Sequence, residues 1–488
     1  LKYTYPHWLY DFFTYLIYSI VGFKGVYIIT CVLSAILGIS IFLVNSKLTK
    51  SKSISFIITM GVIYALKPYI AARAQLVTFI LFIWELFFIE KFIENRKIGY
   101  GIGLILISTL IANLHVATWP FFFVLFLPYI VEYLIAIVSD IIVYKKCKML
   151  VIKHKMKKAQ KKNDIERLKE LQIKLQEQED KNLKIKDKRE NKNNSYKLVI
   201  KRKENVKFLI IIMIICAFTG LLTPLGDTPY TYLYKTMKGN TTQNISEHLP
   251  LTLINNTNAM CVLVIFLAIL IFTKTKIRLS DLFMLSGLCY LMFSTRRQFS
   301  IFVLICSVIL TKFIVDLINT YTKKGIKEFE EAFRNVLVVI SLTVLIGLMS
   351  YDAAKPKLDD KFVDSKSYPV EACDYILENI DLSKARFYNE YNYGSYIRGI
   401  PVFIDSRADL YAPEFSGNKD EDIFTDFINT SSVSKFYEDT FKKYNITHII
   451  TGKNSKTNML ITKTHDKNYK EIYSDDNFVI YERLSANE

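Results

Sequence analysis

Apolar runs of about twenty residues recur from residue 26 to residue 350, each closed by charged or turn-forming residues. A helix of about 20 residues crosses the ~30 Å hydrocarbon core of a bilayer, and it makes all its backbone hydrogen bonds internally. The repetition points to a polytopic α-helical membrane protein. Composition agrees, because 488 residues with 51% apolar content, 34 Phe and 31 Tyr suit neither a soluble domain nor a disordered chain.

About ten transmembrane helices are expected. They fall over 26–45, 53–66, 74–93, 98–114, 118–144, 207–225, 258–273, 280–295, 299–320 and 335–350. Lys and Arg collect at 47–52, 91–97, 145–207, 274–278 and 323–334, which are every second boundary, so the positive-inside tendency assigns these to the cytoplasm. The other boundaries, 1–11, 67–73, 115–118, 226–257, 296–298 and everything after Tyr351, then face outward. Three regions follow: a transmembrane domain over 1–350, a basic cytoplasmic helical insert at 145–207 within it, and an extracytoplasmic domain over 351–488. The expected localisation is the cell membrane, multi-pass. The outer domain holds one cysteine, Cys373, so it forms no internal disulfide, and no metal-ligand spacing is present in the chain.

The net charge of +17 raises the question of nucleic acid. Residues 145–207 carry 23 Lys/Arg against 9 Asp/Glu, so +14 of the charge is local to the insert. A solvated helical hairpin near anionic lipid accounts for it, and no nucleic-acid partner is expected. Ile165, Leu168, Leu171 and Leu175 suggest a partly apolar stripe along that hairpin. At the other end, Leu1 is not an initiator Met, and an outward-facing start implies at least one preceding span. The aromatic segment 12–21, too short to cross comfortably and bounded by Gly22 and Gly25, is expected to lie along the outer interface. A buried short span is the alternative, and it would invert the later assignments.

Polar groups cluster on the outer side. Arg73-Ala74-Gln75 and Asn113-Leu114-His115 end long apolar runs, and Arg73, Arg296 and Arg297 stand where the charge rule expects few cations. Guanidinium forks match phosphate oxygens, so counter-charges for an anionic ligand are one reading. Lipid-headgroup contact is the other for any one of them alone. Asp11, after Pro6-His7-Trp8-Leu9-Tyr10, and Glu247-His248, in the outer loop after Pro224-Leu225-Gly226, supply acids on the same face. A carboxylate near a phosphate-binding arginine can deprotonate an acceptor hydroxyl while the phosphate leaves. Trp8 and Trp119 read first as interfacial belt residues, and Thr118-Trp119-Pro120 as an N-cap and helix start.

In order along the chain, these groups and Ser294-Thr295-Arg296-Arg297 resemble bacterial polytopic proteins of the GT-C glycosyltransferase superfamily, protein mannosyltransferase type. The likeness extends through Tyr368-Pro369, Tyr391-Asn392-Tyr393-Gly394-Ser395-Tyr396 and the stretch from Val402 to Asp409. The resemblance implies inverting transfer of a sugar from a polyprenyl-phosphate donor to an extracytoplasmic acceptor at the outer leaflet. It implies Asp11 as the base, standing in for an acid that relatives carry soon after a first span. His7, Arg73, Gln75, Asn113, His115, Glu247, His248, Arg296 and Arg297 become substrate-binding candidates, with a divalent cation as a possible cofactor. Asn392 replaces the acid of the aromatic-acid-Tyr-Gly motif in oligosaccharyltransferases, which weighs against oligosaccharide transfer.

The outer domain reads independently as α/β, with a helix over 370–378, strands at 386–388, 401–404, 447–451, 470–473 and 478–481, and a helix-like stretch at 419–443. Asp405, Arg407 and Asp409 follow a strand directly, so they read either as strand-end ligand contacts or as an internally salt-bridged turn. Two function classes remain: the glycosyltransferase, and a non-catalytic envelope glycan assembly or export protein with a ligand-binding outer domain. A transporter ranks third, because no acidic or basic relay is legible at mid-membrane.

Overall fold

The computed structural model describes residues 5–484 apart from 144–145, 162–163, 193–196, 240, 323–324, 334–336, 339, 342, 346, 349–362, 395, 398 and 417–421. The chain divides into two compact units, Pro6–Pro229 with Pro250–Leu342, and Tyr230–Leu249 with Leu1–Tyr5 and Thr343–Glu488.

The first unit is helical: α1 (Trp8–Val21), α2 (Phe23–Thr49), α3 (Lys52–Leu66), α4 (Ala74–Asn95), α5 (Ile98–Leu114), α6 (Trp119–Val124), α7 (Leu127–Val143), α8 (Lys146–Lys161), α9 (Ile165–Lys192) and α10 (Val206–Phe218). After α11 (Thr228–Lys238) and α12 (Thr241–Asn244) of the other unit come α13 (Thr257–Phe272), α14 (Leu279–Ser294), α15 (Phe299–Tyr321) and α16 (Ile326–Phe333). Among the described residues three stretches are long and apolar enough to cross a membrane: Phe23–Thr49, Val116–Val143 and Arg296–Tyr321. Ile98–Leu114, Val206–Leu221, Thr257–Phe272 and Leu279–Ser294 are apolar but shorter. Of the expected span at 335–350, residues 335–336, 339, 342, 346 and 349–350 lie outside the described residues, and the others are helical.

Local chemistry sets the breaks. Gly22 at φ 69° takes a conformation that side chains resist, and it separates α1 from α2. Lys50 and Arg96 close α2 and α4 in the left-handed region, and Ser51 caps α3 through Ile54 N. Trp119 departs from its expected interfacial role: it is buried and donates from Nε1 to Ser108 Oγ at 3.1 Å. Thr118 is likewise no side-chain cap, its hydroxyl donating back to His115 O at 2.9 Å.

The boundaries contact one another in two sets. Val116 N donates to Pro6 O, Tyr69 Oη to Arg296 O, and Leu251 N to Phe293 O. In the other set, Asn205 Nδ2 donates to Ile93 O, Ser53 N to Glu330, and β1 (Leu198–Val199) pairs in parallel with β2 (Ile277–Arg278). Each set joins only boundaries that the charge alternation groups together. The basic insert forms the expected hairpin, with Leu168, Leu171 and Leu175 against Ile152, Met156 and Ala159. Ile165 departs from that stripe and is exposed.

Helices α4 and α5 run antiparallel in a fixed register. Thr78 meets His115 at one end, and the Phe92 ring lies against Gly101 at the other, where a Cβ would be 3.4 Å from it. The same register sets Glu85 opposite Ser108.

The second unit adds α17 (Val370–Asn379), β3 (Phe387–Asn389), α18 (Ala408–Tyr411), α19 (Pro413–Ser416), α20 (Ile423–Ser432), α21 (Tyr437–Lys443), β4 (His448–Gly452), α22 (Lys456–Thr464), β5 (Tyr469–Ser474) and β6 (Phe478–Arg483). The sheet order is β3-β4-β6-β5, with β3 parallel to β4 and the other pairs antiparallel. Successive strand residues feed two cores. Tyr388, Ile449, Val479 and Tyr481 pack with Phe424, Phe427 and Phe441, while Phe387, Ile450, Phe478 and Ile480 pack with Ala372, Cys373 and Ile376. Both faces are therefore covered, which makes the strand sequences apolar without alternation.

The strand expected at 401–404 does not form. Instead the buried Asn389 amide holds that segment, accepting from Phe403 N at 2.8 Å and donating to Ile404 O at 2.7 Å. Gly394 permits this approach, since a Cβ there would lie 2.1 Å from Ile404 O. The stretch 419–443 also divides, into α20 and α21, with Val433 in the left-handed region after α20.

Candidate functional site

The N-terminus of α15, the end of α5 and the segment before α1 bring three expected residues together. The His7 and His115 rings are 4.8 Å apart between centroids, and Arg297 Nη2 lies 3.4 Å from His115 Nε2. His115 Nδ1 lies 2.8 Å from Thr78 Oγ1, which is itself 3.1 Å from Ala74 O. A guanidinium only donates, so Nε2 accepts from Arg297, Nδ1 carries the proton to Thr78, and Thr78 donates to Ala74 O. Every donor in this chain has an acceptor. Burial and the Arg297 charge pull His7 down to about 4, and burial, His7 and Arg297 hold His115 well below the ordinary imidazole value. Both rings are neutral at neutral pH.

Arg297 borders a cleft of about 290 Å³, open solvent included. Gln75, Thr78, Thr118 and Gln298 give it polar walls, while Phe79, Phe82, Phe121 and Ile301 give it apolar ones. Gln75 Nε2 donates to Ser300 Oγ at 3.4 Å, and Ser300 Oγ donates to Arg297 O at 2.7 Å, which ties α4 to the turn that carries the guanidinium. A cation beside neutral imidazoles, above an apolar trough, suits an amphipathic anion.

The other candidates are distributed differently. Arg73 is the exposed residue before α4, and Arg296 Nε donates to Pro250 O at 3.4 Å. Asn113 does not line this cleft; it donates to Thr109 O at 2.8 Å and to Leu222 O at 3.0 Å, a structural tie to the segment after α10. Asp11 is exposed one turn along α1 from His7. Glu247 and His248 belong to the second unit. There Asp405 is buried and engages Arg407 Nε at 3.0 and 3.1 Å, which is the salt-bridged turn. Asp409 accepts from Tyr232 of α11, and burial raises its carboxyl. Tyr391 beside it is pushed up to about 12 by burial.

Sequence reasoning missed Thr78, Gln298 and Ser300, and it missed the ionisable groups deeper in the helices. Glu85 is fully buried in the middle of α4. Near the opposite end of α4, Glu90 is 3.0 Å from Lys312 and 3.6 Å from Arg278, Lys312 is 3.3 Å from Asp281, and Arg278 is 2.7 Å from Glu132. Of these groups Glu90, Asp281 and Lys312 border a second cleft of about 200 Å³, open solvent included, which is lined from α4, α7, α14 and α15. The sequence shows no relay at mid-membrane because these groups are scattered along four helices, and only helix packing gathers Glu90, Asp281 and Lys312. Among the described residues no group of three or more His, Cys, Asp or Glu is placed to hold a metal ion. No family model matches the chain, and no curated protein matches it.

Proposed function

We propose that the helical unit binds a polyprenyl-phosphate sugar and transfers the sugar to an extracytoplasmic acceptor, in the manner of the GT-C superfamily that the sequence resembles. The observation that carries this reading is Arg297 with the neutral His7–His115 pair at the mouth of an aromatic cleft. The phosphate pairs with Arg297, and the isoprenoid chain lies along Phe79, Phe82 and Phe121. Transfer is inverting: the acceptor oxygen attacks the anomeric carbon, its proton passes to Asp11, and the phosphate leaves with the electron pair of the broken C–O bond.

The side of action is the outer leaflet. The charge alternation puts 226–257 and 351–488 outside, and Tyr230–Leu249 shares one compact unit with the C-terminal region, as that arrangement requires. Arg73 and Arg296 contribute long-range positive potential, and Arg297 makes the direct contact.

The test is sugar transfer from a labelled polyprenyl-phosphate donor in membrane vesicles. Arg297→Ala is expected to remove transfer while the protein still accumulates in the membrane, with Arg73→Ala and Arg296→Ala weaker. Unchanged transfer in Arg297→Ala overturns the phosphate site. A second reading, non-catalytic export of an envelope glycan, draws on the second cleft, which α4 and α15 also line. It expects lipid-linked glycan to cross vesicles without any transfer product.

A further inference from the structure

Glu85 lies midway along α4, at 0% exposure, and neither carboxyl oxygen has a hydrogen-bond partner among the described residues. The helical register turns it toward α5 and α10. Opposite it, Ser108 Oγ is 2.7 Å from Thr219 Oγ1 and 3.4 Å from Cys216 O, and Trp119 Nε1 donates to the same Ser108 oxygen. These groups are paired with one another, and the carboxyl stands beside them unpaired.

The charged groups on the packed helices are engaged elsewhere. Helix α5 carries no charged residue. On α2, Lys47 lies over the Trp84 and Phe87 rings at 5.7 and 5.6 Å. On α15, Lys312 is bound to Glu90 and Asp281, and Asp316 accepts from Lys276 N. On α10, Lys207 sits near the Phe208 ring at the N-terminal end, and Cys216 is the titratable neighbour. An ionised carboxylate here would have neither counter-charge nor donor, whereas a neutral acid needs no counter-charge.

We propose that Glu85 is a proton-binding site of the helical unit: the folded protein carries the acid form, and the ionised form needs a hydrogen-bond donor to turn to. The Ser108–Thr219 pair, opposite Glu85 in the α4–α5 register, is a polar surface to which the ionised form can turn. A metal ion is the less suitable occupant, because the neighbouring oxygens are already bonded to each other.

N,N′-dicyclohexylcarbodiimide tests this on the full chain in native membranes. The reagent is apolar and adds to the acid form of a carboxyl; the oxygen bonds to the central carbon, the proton moves to nitrogen, and nothing leaves. Peptide mapping is expected to find the adduct on Glu85, with labelling that falls as pH rises, and none on ion-paired Glu90 or Asp281. Glu85→Gln, a neutral isostere, is expected to keep the wild-type elution profile and melting temperature while losing the adduct. An unlabelled Glu85 in folded wild-type protein overturns the proposal. So does labelling that is independent of pH and blocked by sodium, which marks a cation site. The outcome does not depend on sugar transfer.

Discussion

Arg297 and His115 are held by a chain of hydrogen bonds in which each group has one role. An anion that recruits the guanidinium frees His115 Nε2, so binding is expected to change the imidazole environment, checked by histidine NMR shifts on titration with a short-chain polyprenyl phosphate. Arg297→Lys keeps the charge and loses the fork, so affinity is expected to fall about tenfold, roughly 1.4 kcal/mol. The histidines also set an acid limit. Their folded pKa values lie below the unfolded value, so the unfolded chain binds protons first as pH falls. The His7 contribution is complete above about pH 6.5 and is lost toward about pH 4. Melting temperature in detergent is expected to decline over that window, and less steeply in His7→Gln.

At the scale of elements, the Asn389 clamp substitutes for a strand. Asn389→Ala orphans Phe403 N and Ile404 O, each at about 1–3 kcal/mol. Gly394→Ala drives a Cβ into Ile404 O and is expected to cost about 3 kcal/mol. Limited proteolysis of the second unit checks both, with cleavage expected at lower protease concentration than in wild type. Most elements were legible because their signals are local. Helix α5 falls at 98–114 as its apolar run indicates, and β4, β5 and β6 lie within a residue or two of their apolar stretches. Residues 401–404 misled because the partner of Phe403 and Ile404 is a side chain 14 and 15 residues upstream, which no periodicity encodes. Within the site, Arg297, His115, His7 and Gln75 stood out as polar groups at the ends of apolar runs. Thr78 and Glu85 did not, because their roles depend on the α4–α5 register.

For the whole molecule, the two sets of boundary contacts define two ends of the helical unit, and the charge alternation makes a prediction about which side each faces. Single cysteines introduced into a cysteine-free chain at Lys174 of α9 and at Ser434 after α20 are expected to react with an impermeant maleimide from opposite sides. Reaction of both from the same side would contradict the alternation.

The binding of lipid phosphate at the Arg297 cleft is tested most directly by a photoreactive polyprenyl phosphate, cross-linked in membranes and mapped by mass spectrometry. Adducts are expected on the cleft walls, at Phe79, Phe82 or Phe121, and they are expected to be lost in Arg297→Ala. Adducts confined to other surfaces, or unchanged by that substitution, would contradict it.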